Sequence, residues 1–224
     1  MRAAPWVTGA IVGALVLAGC GGSSHKSTSA TSSSAAIPPP PTSPPGTVPA
    51  NAPPAVRAVA GRMLVAGDIR GLAPQGMRIL GITPETWVME EQMPPSEQAK
   101  EVQRLKSLGF VRAVRERLIT AGETGPEGLS IVVQFHSPNG ARADVVREVT
   151  MGEAHGAKPF PTPAIPGAKG FGGVNGVTTG YNVAFAVGPY YYLVGVGYPS
   201  GIPNAPTRQD LINGAHRLYT RVRG

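Results

Sequence analysis

Four residues near the middle of the chain have the side chains for acid–base or metal chemistry. His136 and Ser137 close an apolar run, and His155 lies two residues after Glu153. An imidazole beside a carboxylate can move a proton or hold a transition metal. The spacing of these residues matches no metal or catalytic signature, and it describes equally well two solvated histidines at a strand end and a helix end. His216 falls on the polar side of a helical pattern and His25 in a Ser/Thr-rich tract. A nucleophilic serine would need a base and usually a Gly-x-Ser-x-Gly elbow, which the chain lacks. Glycines 170, 172, 173, 176 and 180 could cradle a phosphate, but they lead into a β-rich run, whereas phosphate loops open a helix. A hairpin loop or bulged strand is the plainer reading. No catalytic residue, metal ligand or cofactor is assigned.

The run Tyr190-Tyr191-Tyr192 is the more informative cluster. Successive strand side chains alternate between faces, so Tyr191 points one way and Tyr190 and Tyr192 the other. Either the rings are buried under helices with their hydroxyls at the rim, or they wall a groove for a lipid or glycan. In the second case Tyr190, Tyr192, Phe185 and Trp87 are the ligand-binding candidates, with Tyr198 close by.

These residues need elements to hold them. Val56 to Ile69 carries a partly helical pattern weakened by Gly61 and Gly67. From Ser96, the positions Ala99, Val102, Leu105 and Leu108 repeat near the helical period, and Gly109 ends the run. Phe110 to Ile119 and Leu129 to Phe135 read as a hairpin around a turn at Gly122 to Gly128. Ser137 caps a helix to about Met151, with Gly152 as its stop. After a Pro-rich connector from Lys158 to Pro166, Tyr181–Val187 and Tyr190–Gly197 read as buried strands around Gly188-Pro189. Thr207 and Asp210 have capping-box spacing at the head of a last helix striped by Leu211, Ala215, Leu218 and Val222. Hairpins separated by helices, without βαβ alternation, predict an α+β fold. The expectation is an antiparallel sheet of about four to six strands with helices on one or both faces. The order Gly-Phe, strands, helix occurs at Gly109-Phe110 and again at Gly170-Phe171, which suggests an internal duplication.

The N-terminal quarter is of another kind. Arg2 precedes an apolar run from Trp6 to Ala18, which has the length of a signal-peptide core and is short for a ~30 Å membrane span. It closes on Leu17-Ala18-Gly19-Cys20, which contains the one cysteine of the chain. This tetrapeptide resembles the lipobox of bacterial lipoproteins. The resemblance implies a signal peptide over 1–19 and a mature chain that begins at a lipid-modified Cys20. It also implies anchoring to the extracytoplasmic face of the cell membrane, where two or three acyl chains hold stably. From 20 to 55 the chain is Ser/Thr- and then Pro-rich with few large apolar groups, a composition that forms a tether. Residues 56–224 then form a single globular domain without a disulfide.

The net charge is +7, spread along the chain and not blocked. Such charge suits anionic headgroups or solvated helix faces, and its spread in an exported chain argues against nucleic acid. With the phrases Ile165 to Phe171 and Asn182 to Gly195, the pattern resembles envelope lipoproteins of actinobacteria, which offer no catalytic residues to transfer. The expectation is a non-enzymatic binding domain for an envelope lipid, glycan or exported protein. An envelope hydrolase using His136 or His155 and an assembly factor with no small ligand are the alternatives.

Overall fold

The computed structural model describes residues 53–91, 93–120 and 125–224, the side chains of 76–80 excepted. The expected signal peptide, Cys20 and nearly all of the tether lie outside the described residues. No described helix is long and apolar enough to cross a membrane.

The fold is α+β, with an antiparallel sheet between two layers of helices. In chain order the elements are α1 (Pro54–Ala60), β1 (Ala73–Gly81), α2 (Pro84–Glu90), α3 (Pro95–Leu108), β2 (Phe110–Ile119), β3 (Glu127–Phe135), α4 (Pro138–Ala154), β4 (Lys158–Phe160), β5 (Lys169–Asn175), β6 (Thr178–Val187), β7 (Tyr190–Pro199) and α5 (Arg208–Val222). The seven strands are ordered β1-β2-β3-β7-β6-β5-β4. The sheet thus exceeds the expected four to six strands. The additional ones are β1, β4 and β5, whose glycines and prolines hide strand character, and two of them are edges, where proline is tolerated.

The centre of the sheet is the β3–β7 pair, with Ile131 opposite Leu193 and Val133 opposite Tyr191. Both faces of these strands are covered, which explains their nearly continuous apolar sequence. On one face, α1 and α5 cover Val114, Val132, Val183, Phe185, Tyr192 and Val194. On the other, α2, α3 and α4 cover Ala113, Ile131, Val133, Ala184, Tyr191 and Leu193.

Local chemistry fixes the helix ends. Gly109 takes a left-handed conformation (φ 76°, ψ 44°) after α3, and this turns the chain directly into β2. The Ser137 side chain accepts from the Gly140 amide at the start of α4. At α5, Thr207 and Asp210 form the reciprocal capping box. Helix α4 runs through Gly152 to Ala154 instead of stopping there, because Gly152 is a packing residue. Its absent side chain admits the ring of buried Phe171.

The two halves share their strand order, since β1-β2-β3 is answered across the centre by β5-β6-β7. Their closing helices go to opposite faces, α4 to one and α5 to the other. A two-fold axis relating antiparallel β3 and β7 would stand perpendicular to the sheet and keep both helices on one side, so it does not relate the halves whole.

Candidate functional site

The sequence-predicted residues divide between the two faces. Phe185 and Tyr192 lie fully buried in the α1/α5 core, with rings stacked at 4.8 Å and nearly parallel. Tyr219 of α5 meets Phe185 edge-on at 6.0 Å. Arg62 Nη1 donates to the Tyr192 hydroxyl at 3.2 Å, and its guanidinium lies 4.2 Å above the half-buried Tyr190 ring. Burial raises the Tyr192 hydroxyl pKa, and the Arg62 contact partly offsets that. Tyr190, Tyr192 and Phe185 are therefore together, and Arg62 already engages the Tyr192 hydroxyl and the Tyr190 ring. Trp87, on α2, lies on the other face and is not brought near them. Tyr198 packs at the margin of the α1/α5 core.

The histidines are not assembled into a site with each other. His136 precedes α4 and is exposed, whereas His155 follows α4 and donates from Nδ1 to the Met151 carbonyl at 2.7 Å. The 17 residues of α4 between them span roughly 25 Å at 1.5 Å per residue. Among the described residues no group of three or more His, Cys, Asp or Glu is arranged to hold a metal ion.

The face carrying Trp87 contains a small cavity of about 40 Å³ between α2, α3, α4 and the sheet. Its apolar walls include Trp87, Leu105, Ile131 and Leu193, and its polar lining is Glu91, Glu101, Arg104, Asp144, Arg147, Glu148 and Tyr191. Helical spacing builds this lining. Glu101 and Arg104 are one turn apart on α3, and Asp144, Arg147 and Glu148 share one turn of α4 on the stripe that also buries Ala141 and Val145.

The guanidinium groups are all engaged. Arg104 grips Glu101 with two bonds of 2.8 and 2.6 Å and lies 2.7 Å from Asp144 Oδ1 in an ion pair without hydrogen-bond geometry. Arg147 reaches Glu101 at 3.1 Å and Glu148 Oε2 at 3.5 Å. Arg115 of β2 holds Glu91 at 3.1 Å and the Glu90 carbonyl at 3.1 Å. Three buried polar atoms are left without a hydrogen-bond partner here: Asp144 Oδ1, Glu148 Oε1 and the Tyr191 hydroxyl.

The electrostatics follow from burial. Glu148, 6% exposed, is pushed up to about 8 by desolvation, against a weaker opposing pull from Arg147. Asp144 and Glu91 are raised by the same cause, although Arg104 and Arg115 oppose it. Glu101 is also disfavoured by burial, but the bonds from Arg104 and Arg147 more than offset that and hold it below the usual carboxylate range. Tyr191 is raised well above an ordinary phenol by burial and by the nearby Glu148 and Asp144 carboxylates. Four acids thus face three guanidiniums, and a proton retained on Glu148 balances them near neutral pH. Water-excluded titratable groups around a cavity are a common signature of a binding site.

Of this group, the sequence singled out only Trp87 as a binding candidate and placed Tyr191 on the face opposite Tyr190 and Tyr192. The overlooked signal is the recurrence of Asp144 and Glu148 on the same helical stripe as Ala141 and Val145, where a solvated charge would not fall.

No family model matches this sequence, nor does any curated protein sequence. In fold the chain is similar to the extracellular domain of PknH from Mycobacterium tuberculosis. The TM-score is 0.50 at 12% sequence identity, over 73% of this chain and 94% of that one. At that identity the likeness is one of fold.

Proposed function

We propose that this protein is a lipid-anchored, extracytoplasmic binding protein of the cell envelope, held through Cys20 and presenting a non-enzymatic ligand-binding domain. The observation that carries the binding role is the cavity under α2, α3 and α4, whose buried Asp144, Glu148 and Tyr191 atoms lack hydrogen-bond partners within the chain. Leaving such groups unpaired costs about 1–3 kcal/mol each, a cost that a bound molecule or water offsets. An assembly factor with no small ligand would need only a shallow surface. A recessed cavity with a polar lining favours the binding reading instead. The lipobox-like Leu17-Ala18-Gly19-Cys20 supports the anchor, and the fold it shares with an extracellular domain fits an extracytoplasmic setting.

Native mass spectrometry of the chain purified in detergent from an actinobacterial host tests the binding role. A stoichiometric bound mass from an envelope lipid, glycan or exported protein is expected, whereas an empty protein that also captures nothing from envelope extract overturns it. For the anchor, Cys20→Ala should move the protein from the detergent phase to the aqueous phase or leave the signal uncleaved. A variant that still partitions with detergent after cleavage rejects lipidation at Cys20.

A further inference from the structure

We infer that the cavity under α2, α3 and α4 receives a primary ammonium group of the ligand, with Glu148, Asp144 and Tyr191 as its acceptors and Trp87 as its wall. This rests on the binding reading above and gives the ligand a chemical class. The first argument is valence. Every guanidinium at the site is engaged by a carboxylate, so an anion would find no free cationic donor among the lining side chains. The open positions are Glu148 Oε1 and the Tyr191 hydroxyl, and Asp144 Oδ1, 2.7 Å from Arg104, has a further lone pair to offer. An ammonium group offers three donors and no acceptor, which complements two open acceptors and a shared carboxylate oxygen.

The second argument is charge. An arriving ammonium displaces to solvent the proton that Glu148 otherwise holds; four ionised acids then outnumber three guanidiniums, leaving one negative charge for one positive charge on the ligand. Tyr191 is independent of the acidic cluster, because it comes from β7 in the sheet, is 3% exposed and has its hydroxyl unpaired among those carboxylates. The third argument is size and surface. A volume of about 40 Å³ has room for roughly three water-sized groups at 10–15 Å³ each, enough for an ammonium nitrogen with one or two carbons. The indole face of Trp87 attracts a desolvated cation, and Leu105 and Leu193 suit its methylenes.

Trp6 and Trp87 are the two tryptophans of the chain, and cleavage before Cys20 removes Trp6, so Trp87 is the sole indole reporter of the anchored protein. That protein, purified in detergent, is titrated with methylammonium chloride, sodium chloride and tetramethylammonium chloride at matched ionic strength. A saturable change in Trp87 emission with methylammonium only is expected, weakened at least tenfold by Glu148→Gln. Should Glu148→Gln not fold, Tyr191→Phe, which changes no charge, is expected to weaken the response several-fold. An equal response to the three salts, no response to methylammonium, or a response unchanged in the folded variants overturns the assignment. A ligand found by native mass spectrometry that lacks an amine, and whose loading Glu148→Gln leaves intact, would reject the ammonium inference while leaving the binding reading standing. The absence of any bound species would instead reject the binding reading.

Discussion

Tyr191 and Tyr192 are neighbours in β7, equally buried, and they end in opposite circumstances. Tyr192 stacks on Phe185 under α5 and receives a hydrogen bond from Arg62. Tyr191, one residue back and on the other face, reaches a charged cavity with its hydroxyl unpaired. The helix layers differ in the same sense. Around α1 and α5, Arg57, Arg62, Arg70, Arg208, Arg217, Arg221 and Arg223 stand against Asp68 and Asp210, and the core beneath them is sealed by aromatic contacts. Around α2, α3 and α4, acids predominate and part of the charge lies inside. The α1/α5 face satisfies its aromatic tip and buries only isolated polar groups such as Glu116, whereas the other face gathers unpaired polar atoms around one cavity. The proposed site therefore rests on unpaired polar tips and not on aromatic rings alone.

The largest expected break in this comparison is on the sealed face. Phe185→Ala removes a fully buried ring stacked on Tyr192 and touching Tyr219, and should cost about 3–5 kcal/mol in urea unfolding. A loss below about 1 kcal/mol would mean that this face is not the closed core described.

A smaller effect comes from two buried carboxyls, one per face. Burial pushes Glu148 up to about 8 and Glu116 of β2, on the α1/α5 side, up to about 7. Both lie above the ordinary glutamate value of about 4.3, so the folded state holds these protons more tightly than the unfolded chain. Their stabilising contribution is full below about pH 4.3 and is lost as pH rises, through about 7 for Glu116 and about 8 for Glu148. Glu116→Gln and Glu148→Gln should each flatten the decline over their own window. A decline between pH 7 and 8 that persists in Glu148→Gln would remove that residue from the account.

The finest test is the tyrosine pair itself. Tyr192→Phe takes away the acceptor of Arg62 and should cost about 1 kcal/mol. Tyr191→Phe removes an unpaired hydroxyl and should leave stability unchanged within about 0.5 kcal/mol or raise it. Equal losses in the two variants would erase the contrast between the faces.

The contrast was half legible in the sequence. Helices α3, α4 and α5 carry helical apolar spacing and capping residues, and β2, β3, β6 and β7 carry β-branched or aromatic runs, so one-dimensional patterns sufficed for them. Strand β5 has three glycines in seven residues and β4 is three residues around Pro159, so their pairing depends on neighbours and not on intrinsic preference. The alternation of Tyr190 to Tyr192 between faces followed from strand geometry alone. The cavity did not, because Trp87, Arg104, Glu148 and Tyr191 are spread over a hundred residues and meet only when three helices settle on the sheet. Phe185 and Tyr192 drew attention as aromatic groups, whereas the information lay in which hydroxyl finds a donor.

Arg221, near the end of α5, holds Asp68 with bonds of 3.0 and 2.7 Å and also donates to the Met63 carbonyl, while Arg217 donates to the Asp68 carbonyl. The first segments of the domain are thereby closed by its last helix, across 153 positions of sequence. A chain that emerges N-terminus first presents α1 and the loop after it well before the helix they are built to meet. Closure of the α1/α5 core therefore waits for α5, and a chain stopped short of α5 would hold its aromatic stack open to water.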